Sequence, residues 1–254
     1  MIQAIRFSSY LEALALEIKK TRSGEKSTLK LMAAGARLLE NVGYRDLNIE
    51  NICAEAQLAK GTFYVYFESK EVFLNQLISR YIGFEVNTHP QFSLAVSAFR
   101  GALDWVEWYE RTFAANVGIL RCLVQLSAIS LEHRALWHQR NRNIVERIIE
   151  QQQRRLGFEI GEAALNLLRI SIRSVGGMMD ESLFERYSIG VGAGREEVDL
   201  ELMIELHAFL IYRAIYGSDP DIDELDRVKP MMEFRVGAFR TSGDQGGILS
   251  SSSL

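Results

Sequence analysis

Apolar residues recur along this chain at helical spacing, and no run alternates them strictly with polar ones. The most informative stretch is Asn48 to Lys70, NIENICAEAQLAKGTFYVYFESK. Ile49, Ile52, Cys53 and Ala56 fall at i, i+3, i+4 and i+7, one apolar stripe of a short helix. Asn48 brings a side-chain oxygen able to cap it. Gln57, Leu58 and Ala59 read as a turn, and a second short helix begins near Lys60 and Gly61. Phe63 and Phe67, four apart, can anchor its inner face, which leaves Thr62, Tyr64 and Tyr66 to point elsewhere. A buried helix would have no use for such an outer face. Further amphipathic stripes lie on either side, Leu31, Ala34, Leu38 and Val42 before it and Phe73, Leu74, Leu77, Ile78 and Tyr81 after it.

Proline organises the remainder, because it breaks helix interiors and only Pro90, Pro220 and Pro230 occur. Thr88-His89-Pro90 places a domain junction near residues 83 to 92. Beyond it the pattern predicts helices over Ser93 to Phe113, Val117 to Leu126, Ser130 to Leu156, Gly161 to Tyr187 and Glu196 to Tyr216. Strand and hairpin signals are weak, so the chain reads as all-α. The last two long helices carry Leu165, Leu168, Ile172, Val175 and Met179, then Leu202, Leu206, Phe209, Leu210 and Ile211. Such faces are wide enough to bury more than one side, either inside the monomer or against a second copy. Residues 1–25 form an amino-terminal helical extension with a stripe at Leu11, Leu14, Ala15 and Ile18 and a basic end at Lys19, Lys20 and Arg22. An extra helix packed on the body is favoured over a DNA-binding arm. Residues 241–254, TSGDQGGILSSSSL, have little to bury and are expected to form a disordered tail.

A hydrophobic share of 48% in 254 residues allows a sizeable core. The net charge of -4 argues against a surface built throughout for polyanions. Its distribution is more useful, since residues 1–85 hold 11 Lys and Arg against 10 Asp and Glu, while residues 86–254 hold 18 against 23. Cys53 and Cys122 lie in apolar helical patterns without CxxC spacing, which fits a reducing cytosol. The first twenty residues lack the layout of a signal peptide, and no segment is apolar over the roughly 18 residues that span a membrane. A cytoplasmic protein is expected.

Lys60-Gly61-Thr62-Phe63-Tyr64-Val65-Tyr66-Phe67-Glu68-Ser69-Lys70, preceded by Gly43-Tyr44, resembles the amino-terminal signature of TetR-type transcriptional regulators. The resemblance covers roughly Lys26 to Tyr81. It implies a helix-turn-helix DNA-binding domain over residues 26–85 and a helical effector-binding and dimerisation domain over 86–240. It further implies that the second short helix enters the major groove of a double-stranded DNA operator, expected to be palindromic. The DNA-binding residues it assigns are Asn48, Lys60, Gly61, Thr62, Tyr64, Tyr66 and Lys70. Gly61 has a physical reason to be there, because a missing side chain lets backbone amides approach a phosphate. The sequence departs from the family where Gln57 stands for a frequent glycine, Ala59 for a frequent capping serine and Ile49 for a threonine or valine. The resemblance also implies a homodimer through the helices 161–187 and 196–216. The function implied is a repressor released from its operator by a small effector that moves the helix Lys70 to Gly83.

Trp105, Trp108, Tyr109, Gln125, His133, Trp137, Met178 and Met179 are candidates for an effector pocket, with Phe113, Phe184, Arg173 and Asp180 as further members. Pockets are mostly apolar with a few placed polar groups, which suggests an apolar or aromatic effector. The same aromatics at helical spacing also suit plain core. The alternative to a DNA-binding regulator is a helical enzyme or adaptor. Gly190-Val191-Gly192-Ala193-Gly194 is the best enzymatic hook, but Arg195 holds the sixth place of a dinucleotide fingerprint and a helix precedes it. His89, His133, His138 and His207 are scattered, and the last helical pair, His133 and His138, diverges by about 140° around a helix. No catalytic residue, metal site or cofactor is expected. Arg140, Arg142, Arg147, Arg154 and Arg155 share one long helix, where interleaved Glu146 and Glu150 favour a solvated surface over a nucleic-acid stripe.

Overall fold

A computed structural model describes residues 5–18, 23–90, 93–187 and 199–232. Ten α-helices and two short 3-10 turns make up the secondary structure of those residues, with no strand among them. The all-α expectation therefore holds. In chain order the helices are α1 (Phe7–Glu17), α2 (Ser23–Leu39), α3 (Ile49–Ala56), α4 (Lys60–Tyr66), α5 (Lys70–Thr88), α6 (Ala98–Ala115), α7 (Val117–Ser127), α8 (Leu131–Leu156), α9 (Glu162–Tyr187) and α10 (Leu200–Tyr216). Lys19, Lys20, Arg22, the glycine run 190–194 and the tail 241–254 lie outside the described residues.

Local chemistry explains most boundaries. Ser97, Ser130 and Asp199 each accept a hydrogen bond from a backbone N–H of the helix they precede, satisfying donors that have no intrahelical partner. Gly157 and Gly217 end α8 and α10 in the left-handed conformation, at φ 72° and 66°. The expected start at Ser93 is corrected to Ala98, because the cap sits at Ser97. Helix α5 continues past the expected Gly83 to Thr88 and stops at His89-Pro90.

Helices α2 to α5 wrap a phenylalanine cluster. Phe63, Phe67 and Phe73 are all buried, with Phe63 and Phe67 centroids 5.3 Å apart and Phe67 edge-on to Phe73 at 5.0 Å. Each contributes on the order of 1.5–3 kcal/mol by leaving water. Helix α1 joins this body, as Phe7 packs against Tyr81 and Phe84 and Tyr10 against Phe84. Its own start is tied down by Asn116, whose Oδ1 accepts from the Phe7 N–H at 2.7 Å and whose Nδ2 donates to the Ile5 carbonyl at 3.0 Å. Residues 7–17 are thus a packed helix.

The same junction of α6 and α7 bolts the end of α2. Arg121 donates to the Leu39 carbonyl at 2.9 Å, and Gly118 lets the two backbones nearly touch. Helices α6, α8, α9 and α10 build the second half, with α10 lying along both α6 and α9. No described helix is long and apolar enough to cross a membrane, and no group of metal-ligand residues assembles among the described residues.

Candidate nucleic-acid interface and internal cavity

The turn between α3 and α4 depends on an uncommon backbone state. Asn48 caps α3 by accepting from the Asn51 N–H at 2.8 Å. At the other end Gln57 sits at φ 55°, ψ 43°, its N–H reaching the Ala54 carbonyl and that of Leu58 the Cys53 carbonyl. This is the glycine-favoring way to close a helix, performed by a residue with a side chain. Ala59 then starts α4 with no side-chain cap bond. Replacing Gln57 by glycine is expected to raise stability by about 0.5–1 kcal/mol, since relief of left-handed strain outweighs the extra freedom of an unfolded glycine. The midpoint of urea unfolding measures it, and an unchanged or lower midpoint would show that the turn is not strained.

Helix α4 presents Lys60, Gly61, Tyr64 and Val65 outward, with Tyr64 50% and Val65 73% exposed. Tyr64 rests edge-on against Phe63, 5.6 Å between centroids, so its position is held while its face is free. Thr62 is half-buried beside them. Two placements differ from the outward group expected from the sequence. Tyr66 is half-buried against the core, its ring beside Gly24 of α2. Lys70 is turned inward, donating to the carbonyls of Tyr44 at 3.2 Å and Leu47 at 3.0 Å, where it braces the loop before α3. Lys60 pairs with Glu50 of α3, which raises the lysine's pKa and lowers the glutamate's. Val65 is an outward residue that the motif does not single out, although 61, 64 and 65 follow helical spacing and mark the face.

A cavity of about 360 Å³ opens among α6, α7, α8, α9 and α10. Of the candidate residues, Trp105, Tyr109 and Trp137 line it, together with Phe184, Asp180 and Arg173. The other candidates do not. Trp108 packs on the His89 ring at 4.9 Å, Gln125 faces a surface groove beside Gly43 to Asp46, and His133 bonds Ser130 at the start of α8. Met179 is fully buried in the core outside the cavity lining, and Met178 is 55% exposed. The reason is shared: which side of a helix meets a cavity follows from how helices cross.

Behind the aromatic wall lies Arg140, only 1% exposed, which corrects the solvated-surface expectation for this residue. Its guanidinium grips Glu85 of α5 through two hydrogen bonds of 2.7 and 2.8 Å, and sits over the rings of Trp137 and Tyr109. Burial alone would depress its pKa, but Glu85, Tyr109 and Asp180 together raise it. Tyr81 donates to Glu85 at 3.1 Å, and Tyr109 donates to Asp180. Burial pushes both hydroxyls well up, so they stay protonated donors. A spacing clue existed: Arg140 lies three after Trp137 and four and eight before Ile144 and Ile148, on the apolar face of α8. The wall is further oriented by His89, whose Nε2 accepts from the Trp105 indole at 2.8 Å while Nδ1 meets the Pro90 carbonyl at 2.9 Å. Burial pulls its pKa down to about 4, which keeps the ring neutral.

Residues 31–77 match the family model described as bacterial regulatory proteins, tetR family. A crystal structure of a tetR-family transcriptional regulator from Streptomyces coelicolor is similar over 75% of this chain and 79% of that one, at 15% identity and a TM-score of 0.59, a likeness of fold. The flavonoid-responsive regulator FrrA is similar at 17% identity over 77% of this chain and 98% of its own, at a TM-score of 0.49. No curated protein matches the chain. The matched residues run from α2 into α5 and include the two short helices α3 and α4 around their capped turn, so this part of the chain is similar to the domain that the tetR-family model describes.

Proposed function

We propose that this protein is a TetR-type transcriptional regulator that represses by laying α4 in the major groove of its operator and is released when a small apolar or aromatic effector fills the cavity. The observation that carries the reading is the exposed pair Tyr64 and Val65 on a short helix that is anchored from inside by buried Phe63. A phenol can exchange hydrogen bonds with base edges or phosphates, and an exposed valine suits a thymine methyl. Gly61 and the backbone at the start of α4 would approach the phosphates, with Thr62 and Lys60 beside them and Asn48 at the start of α3. Lys60 would have to leave Glu50 to do so. Lys70 would act by holding the loop 44–47 in place, and Tyr66 by fixing α4 against α2.

A homodimer through α9 and α10 accounts for an apolar stripe left in the open. Leu167, Ile170 and Met178 lie along one face of α9 at 68%, 64% and 55% exposure, with Gly177 and Ser174 between them. Small residues in that row would let a second copy come close, and a two-fold pair would read a palindromic site with half-sites one turn apart. Domain roles follow, with residues 26–85 reading DNA and 86–240 binding effector and partner. A physical link between the two runs from Asp180 in the cavity through Arg140 to Glu85 on α5, and α5 begins at the end of the recognition helix. An effector that prefers one arrangement of this chain would shift α5 by as much as its differential affinity.

Tyr64→Ala tests the interface. Operator affinity is expected to fall at least tenfold in a fluorescence anisotropy titration, while unfolding stability stays within about 0.5 kcal/mol because the ring is half in solvent. Unaltered affinity in a folded variant would remove α4 from the interface.

A further inference from the structure

The charges around the cavity do not balance. Two buried carboxylates, Glu85 and Asp180, face one buried guanidinium, and the sharing is unequal. Glu85 takes two close hydrogen bonds from Arg140, whereas Asp180 reaches it only at 3.7 Å through Oδ2, beyond hydrogen-bond range. Tyr109 donates to the other oxygen, Oδ1, and is neutral. Asp180 also lines the cavity; Glu85 and Arg140 do not. The remaining charged groups in the lining, Arg173 and Glu181, are both exposed and of opposite sign, and Arg173 already donates to His138 at 3.2 Å. The interior therefore offers a ligand one under-compensated carboxylate set among Trp105, Tyr109, Trp137 and Phe184. Burial raises the affinity of Asp180 for a proton against the pull of Arg140, another expression of the same deficit.

We propose that the cavity selects an aromatic or amphipathic ligand carrying a single positive charge, seated with its rings among the tryptophans and its cation against Asp180. This rests on the proposed effector-binding role of the cavity and adds the ligand's charge. A cation there offsets the excess negative charge beside buried Asp180 and gains from aromatic faces, while a carboxylate ligand would meet Asp180 directly. Arg140 offers such an anion little, because four of its five N–H groups donate to Glu85, Tyr109 and Asn141, its Nη1 lies on the Asp180 side, and it does not line the cavity.

Three probes of one ring system test the charge: 2-(2-naphthyl)ethyltrimethylammonium, 2-(2-naphthyl)ethanol and 2-naphthylacetate. Each is titrated into the full chain by calorimetry, with quenching of tryptophan fluorescence as a second readout. The ammonium is expected to bind at least tenfold more tightly than the alcohol, and the acetate more weakly than either. That ratio is expected to persist between about 50 and 500 mM KCl, since screening acts on exposed charges and little on buried ones. Asp180→Asn, which keeps an acceptor for Tyr109, is expected to collapse the ratio. A ratio lost at high salt, or unchanged in a folded Asp180→Asn variant, would assign the preference to the chain's overall negative charge and overturn the proposal. Equal binding of all three, or tightest binding of the acetate, would overturn the charge selection and leave the ligand cavity standing. Failure of all three to bind would remove both.

Discussion

Arg140→Met is expected to cost about 3–5 kcal/mol of folding stability, the range for deleting one partner of a buried ion pair. The loss comes from what stays behind. Glu85 is 4% exposed and Asp180 9%, and without the guanidinium two carboxylates share the interior with hydroxyls alone. Methionine fills much of the volume, so a cavity is not the cause. Adding Glu85→Gln to the same chain should recover part of the loss, because one of the stranded charges disappears. Urea denaturation of the two variants measures both effects. A loss below 1 kcal/mol for Arg140→Met would mean that water reaches the network and that the link between cavity and α5 is not a buried one.

Gly118→Ala is expected to destabilise by about 1–3 kcal/mol or more, a large effect for a single methyl group. A Cβ at this position would lie 2.3 Å from the Leu39 carbonyl oxygen and 2.7 Å from the Glu40 nitrogen. These are backbone atoms at the end of α2, which cannot rotate aside as a side chain would. The start of α7 must back away, and the Arg121 hydrogen bond to Leu39 lengthens with it. Because Asn116 holds α1 at the same junction, protection of the α1 and α2 amides from hydrogen exchange should fall together with global stability. Wild-type stability and exchange in the variant would show that α2 and α7 are not in tight contact.

How legible this molecule is from its residues varies with how local the cause is. Asn48 as a cap, Phe63 and Phe67 as anchors and the stripe of α3 all follow from neighbours within one turn, and each sits where spacing puts it. Tyr66 and Lys70 follow from partners far along the chain. Gly24 makes room beside one and the carbonyls of Tyr44 and Leu47 capture the other, and neither contact leaves a mark in the motif. The cavity shows the same divide. Aromatic type was enough to suggest Trp105, Tyr109 and Trp137, but Trp108, one residue before Tyr109, turns toward His89 because α5 ends there. Arg140 was hardest to see. Its charged neighbours on α8 describe a solvated face, and only the burial of Glu85 on another helix shows why an arginine belongs inside.

The central claim is that α4 reads DNA, and selection of bound sequences from a random double-stranded pool by the full chain tests it most directly. One site is expected to be enriched, built as two inverted half-sites about one helical turn apart, with the enrichment lost for Tyr64→Ala. A pool that stays random with the folded wild-type chain, or the same site enriched by Tyr64→Ala, would contradict it.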